Sequence, residues 1–571
     1  MQRGTSVWSQ HHKRIFYNKS EYPSGSIYDF LSECSVENVN RTALEFYGSK
    51  LTYKELLSKI DSCADSLYSL GVRQGSTITI VLPNIPQAII VFYAANKLGA
   101  VSNLLHPLLP KEDLVHSVKN TDSCLVITLY DLFVKFESLC REPECPAFIL
   151  VSPSDEMGAV QKVVYRIKNK HKKIAFNNCR ILSWKQLKKI AKPLSCHEKP
   201  IFQFDDTAVI LYSGGTVGKP KGIELSNGNF NSLAVQLSET YYDDSMKGLR
   251  SLALMPIFHG FGLGVSIHGM LCNGSHLFPI PIYNMQYCTD LVFKKKIGIL
   301  YGVPALFEAI SRSVQIEKKD LSFINGIVVA GDSVSPKLMN RMNKLLKSGG
   351  SPTTMREAYG LTECTSGCCI NPYFALKDGS IGLPFTDMRM AIVSPDTCDE
   401  LPHGEVGEIC ICGPTVMKGY YKNKNDTEKV IITHKDGQKW LHTGDIGFVD
   451  EDGYYYFVQR KSNMLISSGY NIYPSVIESV IQDCNMIAES CVIGAKDAVL
   501  GQRIVLFVVP KSGFDKNSIS KAIMSLCKEK LPKYSIPHEI VFSNKLPKTE
   551  LGKTDTIALS DLYCKKEKQH D

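Results

Sequence analysis

Several features that would assign a protein to a simple class are absent from this 571-residue sequence. None of its 19 cysteines has the Cys-x-x-Cys spacing of a zinc site, and many stand in apolar stretches. The most apolar stretch, residues 252–271, is interrupted by a proline, two histidines and several glycines, which excludes a membrane span. The polar N-terminus lacks the apolar core of a secretory signal. We therefore predict a cytoplasmic protein with reduced thiols.

The charge of the chain gives little support to a nucleic-acid partner. Lys and Arg number 65 against 57 Asp and Glu, so the formal net charge is only +8. The densest basic run, residues 166–173, has no accompanying series of aromatic residues on which bases could stack. We interpret that run as a solvated surface helix or loop, and we expect no nucleic-acid partner.

The order of apolar and amphipathic segments predicts an α/β protein of several compact units. Short apolar runs at 76–82, 124–129, 208–212 and 326–330 are separated by longer amphipathic stretches such as 53–70. This alternation is typical of βα units with buried strands. The length exceeds what one hydrophobic core supports.

A polar junction near residue 460 predicts a domain boundary. The strand-like run 453–458 is followed by the charged segment 459–463 and then by about a hundred residues with α and β patterning of their own. We therefore predict domains at 1–459 and 460–571.

The strongest local signal is a strand that leads into a loop of glycines, hydroxyls and lysines at residues 210–222 (ILYSGGTVGKPKG). Ser213 and Thr216 can donate hydroxyl hydrogen bonds, and Lys221 supplies a compact positive charge. The backbone N–H groups that could surround an oxyanion belong to Gly214, Gly215 and Gly218. The spacing differs from the Walker loop, so no helix has to follow directly. The alternative is a flexible hairpin with surface lysines, which the convergence of phosphate-binding residues disfavours.

This loop resembles the signature of the adenylate-forming superfamily of acyl-CoA synthetases, peptide-synthetase adenylation domains and luciferases. Val217 stands where the family usually has Thr. Further motifs follow in the family's order at 51–56 (LTYKEL), 97–101 (KLGAV), 255–262 (MPIFHGFG), 359–363 (YGLTE), 404–409 (GEVGEI), 419–421 (GYY), 441–445 (LHTGD) and 546–553 (LPKTELGK). The resemblance implies a large multi-subdomain N-terminal adenylation domain and a small α+β C-terminal domain, joined by a hinge.

The resemblance also implies the catalytic residues. Lys553 is expected to bridge the acyl carboxylate and the α-phosphate of ATP, and Glu363 to be the Mg²⁺ ligand. Thr362 and Thr216 are expected to hydrogen-bond phosphate oxygens, while His259 is expected beside the substrate carboxylate. Taken singly, Lys553 could be a solvated lysine and His259 a core histidine.

The nucleotide-binding residues follow from the same motifs. Tyr359 offers a face for adenine beside Gly360, and Asp445 with Arg460 is expected to bind the ribose hydroxyls. The segment 330–333 (AGDS) also resembles the serine-bearing motif of a carrier domain. Its position just after a strand favours a nucleotide pocket made by Gly331, Asp332 and Ser333.

Transfer of the acyl group requires a thiol to reach the place that Lys553 occupies during adenylation. In the resembled family the C-terminal domain rotates about a hinge, which corresponds here to Ser462. A glycine-containing segment, here Ser468 and Gly469, then reaches the pantetheine channel. The sequence therefore predicts ATP, Mg²⁺ and coenzyme A as cofactors.

The acid and the acceptor remain open at this point. Peptide-synthetase domains usually carry Asp after the Phe of the 255–262 motif, whereas here His259 follows Phe258, which favours a fatty or aryl acid over an amino acid. The leading hypothesis is an acid–CoA ligase. The alternatives are a freestanding enzyme that loads a separate carrier protein, and a non-catalytic nucleotide-binding protein, which the retained charged residues disfavour.

Overall fold

A computed structural model describes residues 22–169, 180–191, 200–213, 220–240, 246–313, 319–395, 397–468, 470–497, 500–548 and 554–567. The strands of the first half are β1 (Thr42–Phe46), β2 (Ser49–Thr52), β3 (Thr77–Val81), β4 (Val101–Leu104), β5 (Leu125–Leu129), β6 (Ala147–Val151), β7 (Ile181–Ser183), β8 (Thr207–Ser213), β9 (Lys221–Ser226), β10 (Arg250–Ala253) and β11 (His276–Pro279). Those of the second half are β12 (Ile299–Gly302), β13 (Gly326–Val329), β14 (Met355–Tyr359), β15 (Cys369–Ile370), β16 (Leu383–Pro384), β17 (Arg389–Val393), β18 (Gly407–Cys412), β19 (Gly419–Tyr420), β20 (Ile431–Thr433), β21 (Lys439–Val449), β22 (Tyr455–Arg460), β23 (Leu465–Ser467), β24 (Tyr470–Ile472), β25 (Ile487–Asp497), β26 (Gly501–Pro510) and β27 (Glu539–Phe542).

The α-helices alternate with these strands through most of the chain. They are α1 (Ile27–Cys34), α2 (Tyr53–Ser69), α3 (Pro86–Lys97), α4 (Lys111–Asn120), α5 (Ala159–Lys168), α6 (Trp184–Leu187), α7 (Asn227–Glu239), α8 (Met270–Cys272), α9 (Met285–Lys295), α10 (Pro304–Ser311), α11 (Pro336–Ser348), α12 (Lys424–Val430), α13 (Pro474–Ile481), α14 (Lys516–Lys530) and α15 (Thr556–Glu567).

The chain forms a mixed α/β structure with a large N-terminal and a small C-terminal domain, as predicted. Two compact units divide it: unit 1 comprises residues 1–390 and 410–441, and unit 2 comprises residues 391–409 and 442–571. This division does not coincide with the predicted boundary after residue 459, which stays a prediction. Each unit is described by itself.

Two sheets with parallel centres build unit 1. The first has the order β16-β15-β14-β13-β12-β10-β11-β1-β2, and the second has the order β19-β9-β8-β4-β3-β5-β6-β7. The predicted buried strands at 76–82, 124–129, 208–212 and 326–330 are confirmed as β3, β5, β8 and β13, within a residue or two at each end. Their side chains are mostly buried because helices cover parallel sheets.

Local sequence accounts for the helix predicted at 53–70, which runs from Tyr53 to Ser69. The Thr52 hydroxyl accepts from the backbone N–H of Glu55, and the Glu55 carboxylate accepts from the backbone N–H of Thr52. Leu56, Ile60 and Leu67 repeat at helical spacing and are buried. The capping box and this apolar face fix the start and the orientation of the helix.

The C-terminal part of unit 2 has its own core. Its sheet has the order β24-β23-β26-β25, with β27 paired to β26. Apolar side chains from α13, α14 and this sheet form one buried cluster that includes Ile477, Ile504 and Ile523. A further sheet, β17-β18-β21-β20 with β22 paired to β21, contains the residues at which the two units divide.

The apolar stretch 252–271 forms the end of β10, a turn, a buried π-helix from Phe261 to Gly269 and the start of α8. Among the described residues, no helix combines the length and apolarity needed to cross a membrane. The sixteen cysteines whose side chains the structure describes are free thiols, so no disulfide constrains those parts of the fold.

Candidate active site

The predicted site residues of unit 1 follow the carboxyl ends of parallel strands. In the first sheet, β10 leads to His259, β13 to Gly331 and β14 to the segment 359–363. In the second sheet, β8 leads to the glycine loop that begins at Ser213. Loops at the carboxyl edge of a parallel sheet are where ligands usually bind, and this topology supports a common site.

The glycine loop joins two antiparallel strands. β8 ends at Ser213, β9 begins at Lys221, and these two residues are register partners. A strand therefore follows the loop, which agrees with the expectation that no helix has to follow directly. The predicted residues Gly214, Gly215, Thr216 and Gly218 lie outside the described residues, as do Gly469 and Lys553.

Lys221 is held at the base of this loop by an acidic and an aromatic side chain. Its Nζ lies 2.9 Å from Oδ2 of Asp426 and 4.9 Å from the centre of the Tyr420 ring. Hydrogen bonds from Lys221 and Lys429, then from Asn423, hold the pKa of Asp426 well below its usual range. Lys221 therefore faces an ionised partner and keeps a fixed position while its ammonium group remains accessible.

Glu363 shares Tyr420 with Lys221. The Tyr420 hydroxyl donates to Oε1 of Glu363 at 3.2 Å, and the backbone N–H of Met417 donates to the Glu363 carbonyl oxygen at 2.8 Å. Burial, followed by the charge of Glu363, raises the pKa of Tyr420, so its hydroxyl stays a proton donor at ordinary pH. One phenol thus links the cation of the glycine loop to the predicted metal ligand.

β14 ends at Tyr359, and the tight loop that follows it contains Gly360 and Thr362. A Cβ at Gly360 would lie 1.4 Å from the carbonyl oxygen of Ser366, so only glycine fits at this position. Thr365 and Ser366 both have positive φ, and the Thr365 hydroxyl donates to the Thr415 carbonyl oxygen at 2.7 Å. Positive φ angles at non-glycine residues are strained, and the contacts of this turn hold them in place. Such strained backbone is common at functional sites.

A cavity of about 450 Å³ lies in unit 1 beside the end of β8 and the start of β9. Its lining includes Lys221, Tyr212, Tyr420, Asp426 and His116. The lining therefore combines the ammonium groups of Lys221 and Lys422 with the carboxylates of Asp113 and Asp426 and with phenolic and imidazole groups in one concave space.

His259 lies in a turn that a buried asparagine secures. The Asn84 side chain donates to the carbonyl oxygens of Ala253 and Met255 and accepts from the backbone N–H of Ile257. Burial, then the neighbouring His106, lowers the pKa of His259, so its imidazole is neutral at physiological pH. The turn also packs against Ser366, which brings the 255–262 and 359–363 motifs together.

Sequence reasoning missed His106, Asn84 and the linking role of Tyr420. The ring of Phe258 lies near both histidines, 4.5 Å from His106 and 5.3 Å from His259, measured between ring centres. Asn84 and His106 follow β3 and β4 directly, so their place at the carboxyl edge of a parallel sheet could have indicated them.

Gly331, Asp332 and Ser333 form an exposed turn after β13. Gly331 has a φ of 85°, and Oδ1 of Asp332 accepts from the backbone N–H of Ser333. Val329 of β13 and Glu357 of β14 are register partners in a parallel pair, so the turn stands beside Tyr359 at the same sheet edge.

The predicted ribose-binding pair lies in unit 2. Asp445 and Arg460 are register partners on β21 and β22, and the Arg460 Nε lies 2.9 Å from Oδ1 of the buried Asp445. The Thr443 hydroxyl accepts from the backbone N–H of Asp445.

Ser468, at the turn between β23 and β24, has a φ of 52° and donates its backbone N–H to the Leu500 carbonyl oxygen.

Comparison with known proteins assigns the chain to a family. Residues 31–421 match the profile of the AMP-binding enzyme family, and residues 476–553 match that of the AMP-binding enzyme C-terminal domain. The long-chain-fatty-acid–CoA ligase of Bacillus subtilis (strain 168) is 28% identical over 534 residues, which cover 93% of each protein. Probable 4-coumarate–CoA ligase 1 of Dictyostelium discoideum is 28% identical over 516 residues, covering 88% of this chain and 89% of that protein.

A solved structure shares the fold. ATP-bound MatB from Rhodopseudomonas palustris matches with a TM-score of 0.75 and 22% identity, covering 95% of this chain and 99% of that one. Because the first profile spans more than half of the residues, the chain belongs to the AMP-binding enzyme family and is an enzyme of the adenylate-forming acyl-CoA synthetase superfamily, as its motifs predict.

Proposed function

We propose that this enzyme activates a fatty or aryl carboxylic acid with ATP and transfers the acyl group to coenzyme A. In the first step a carboxylate oxygen attacks the α-phosphorus and pyrophosphate leaves, which gives acyl-AMP. In the second step the thiolate sulfur attacks the acyl carbonyl carbon, and the bond to the phosphate oxygen breaks to release AMP. Both steps require that like charges be neutralised before they approach.

The link between Lys221, Tyr420 and Glu363 is the observation that carries the proposal. The Tyr420 side chain contacts the ammonium group of Lys221 through its ring and the carboxylate of Glu363 through its hydroxyl, and Lys221 stands at the end of the glycine loop. A triphosphate bound to the loop would meet the ammonium group of Lys221, and Thr362 stands one residue before Glu363 to donate to a phosphate oxygen.

The donor chemistry of Glu363 fits Mg²⁺. This ion prefers one or two protein carboxylates together with phosphate oxygens and water. Glu363 is half-buried beside the strands that flank the glycine loop, and its backbone is fixed by Met417. Glu363 would therefore hold the ion, which when bound neutralises phosphate charge.

The environment of His259 supports an uncharged acyl chain. A neutral imidazole can orient the substrate carboxylate by a hydrogen bond without forming an ion pair. The family position that would carry Asp for an amino acid is occupied by His259, so the ammonium group of an α-amino acid would have no counter-ion there. The names of the fatty-acid and 4-coumarate ligases among the relatives agree with an apolar acid.

The pair Asp445 and Arg460 supports ribose binding, because a carboxylate held by a guanidinium group is a fixed acceptor for sugar hydroxyls. We assign adenine to the face of Tyr359 and to the turn made by Gly331, Asp332 and Ser333. These assignments are part of the proposal.

Contacts within unit 2 support a hinge after Arg460. The Lys461 ammonium group lies 2.9 Å from Oε2 of Glu408 and donates to the Pro395 carbonyl oxygen, so the chain is anchored up to this residue. Ser462 follows in an exposed turn, where a small side chain can absorb a change of φ and ψ. We propose that rotation here replaces Lys553 by the Ser468–Gly469 turn before thiol transfer.

Separate assays of the two steps test the proposal. We expect Lys553→Ala to abolish acid-dependent ATP–pyrophosphate exchange and to leave thioester formation from supplied acyl-AMP largely intact, whereas the exposed Lys545→Ala should change neither. A screen of short, medium, long and aryl acids identifies the substrate. Equal loss of both steps in Lys553→Ala would contradict the assigned role. Thioester formation with a purified carrier protein but not with coenzyme A would overturn the proposed acceptor.

A further inference from the structure

The helix α5 turns its apolar side chains away from the protein. Val160, Val163, Val164 and Ile167 are 72%, 58%, 48% and 70% exposed. Their spacing places them on one face of the helix, and no residue of α5 is buried. An amphipathic surface helix normally packs this face on the core, so α5 has the reverse orientation.

The polar face of α5 is the one that packs on unit 1. Lys162 and Tyr165 are the only residues of the helix that are partly buried, and both lie opposite the aliphatic stripe. Burial, then the charge of Asp131, raises the pKa of Tyr165. Glu156, three residues before the start of α5, is buried and accepts hydrogen bonds from Lys59 and Lys188. The orientation of α5 is therefore fixed by its neighbours.

The sequence around α5 is the most basic part of the chain. From residue 157 to residue 197 there is no Asp or Glu, and this segment contains eleven basic residues: Lys162, Arg166, Lys168, Lys170, Lys172, Lys173, Arg180, Lys185, Lys188, Lys189 and Lys192. Eleven exceeds the net charge of +8 of the whole chain, so acidic residues outnumber basic ones elsewhere. Arg166 and Lys168 are exposed and lie on either side of the aliphatic stripe.

We propose that α5 is a docking site for a membrane surface that contains anionic phospholipid. The aliphatic stripe would enter the interface, while the flanking Lys and Arg side chains would contact the head groups. The exposed Arg166 and Lys168 flank the stripe in a segment without Asp or Glu, and this positive charge complements anionic head groups, which favours a lipid surface over a protein partner. This inference does not rest on the proposed acyl transfer and can fail or hold independently of it.

Vesicle flotation of the full-length enzyme tests the docking site. We expect it to float with vesicles of phosphatidylcholine containing about 30% phosphatidylglycerol, not to float with phosphatidylcholine alone, and to dissociate as salt rises to about 0.5 M. The double variant Val163→Ala, Ile167→Ala keeps good helix formers and should bind at least about tenfold more weakly. The control Ile557→Ala removes an aliphatic residue that is 75% exposed on α15 and should bind like the wild type.

Each alternative has its own outcome. Unchanged thermal unfolding of the double variant establishes that it is folded, and the charge variant Arg166→Glu, Lys168→Glu provides a second measurement that should also lose binding. Failure of the wild type to float with anionic vesicles, or equal flotation of the wild type and both variants, overturns the proposal. A lipid-free dimer that the double variant dissociates in sedimentation would assign the stripe to a second copy and would also overturn it.

Discussion

Replacing Tyr420 by Phe removes the hydroxyl that connects the two halves of the proposed phosphate site. The wild-type hydroxyl donates to Glu363 at 3.2 Å, whereas the ring beneath Lys221 remains in the variant. We therefore expect Tyr420→Phe to lower the rate of adenylation, because Glu363 loses a hydrogen-bond donor. For the same reason we expect the variant to need a higher Mg²⁺ concentration for half-maximal activity.

The magnitude follows from the kind of hydrogen bond that is lost. A bond to a charged group contributes about 1.5–3 kcal/mol, and partial exposure of Tyr420 and Glu363 reduces this to about 1–2 kcal/mol. The expected loss in kcat/KM is about 5- to 30-fold. Tyr420→Leu also removes the ring contact with Lys221, which at an exposed site contributes a further ~0.5–1 kcal/mol, or about 2- to 5-fold.

The assay is ATP–pyrophosphate exchange as a function of Mg²⁺ concentration. Tyr456→Phe is the matched control, because the Tyr456 hydroxyl donates to Asp450 at 3.0 Å in unit 2 and has no assigned role in the site. The reasoning is refuted if Tyr420→Phe exchanges at the wild-type rate with the wild-type Mg²⁺ dependence, or if Tyr456→Phe shows the same defect.

Three further predictions concern other parts of the site. Gly360→Ala should reduce exchange at least about 100-fold, since its Cβ would overlap the Ser366 carbonyl oxygen, and normal exchange would contradict the loop geometry. Burial raises the pKa of Glu357 to about 7, so its protonated form is favoured by folding and stability is lost as pH rises from about 4.5 to 7. The free energy of unfolding of Glu357→Gln should then exceed that of the wild type by up to ~3 kcal/mol at pH 8 and equal it at pH 4, as measured by denaturation. A difference that does not change with pH would exclude the titration of Glu357 as its cause. Asp445→Ala should remove the preference for ATP over 2′-deoxy-ATP, and an undiminished preference would argue against ribose binding by this residue.

The elements that local sequence determines were predicted well. Apolar runs bounded by turn residues gave β3, β5, β8 and β13, because buried parallel strands leave a short, nearly continuous apolar signature. The amphipathic stretch 53–70 predicted α2, and the structure shows that a capping box of Thr52 and Glu55 fixes its start. The order of motifs indicated the family, and the profile over residues 31–421 confirms it.

The arrangement of side chains from distant segments could not be predicted. Tyr420 follows Glu363 by 57 residues, and the pairing of β19 with β9 brings it to Lys221. The outward stripe of α5 has an ordinary amphipathic pattern, which periodicity alone would assign to the core. The basic residues Arg166 and Lys168 are exposed as predicted, but the sequence did not indicate which face of the helix packs on the protein.

The central claim is that Lys221 and Glu363 act on the same triphosphate. The most direct measurement is acid-dependent ATP–pyrophosphate exchange by the wild type, Lys221→Gln, Glu363→Gln and the double variant. We predict exchange by the wild type with a fatty or aryl acid, a loss of about 100-fold in each single variant, and a loss in the double variant that is much smaller than the product of the two. Absence of exchange with every acid, wild-type rates in either single variant, or strictly multiplicative losses would contradict the account.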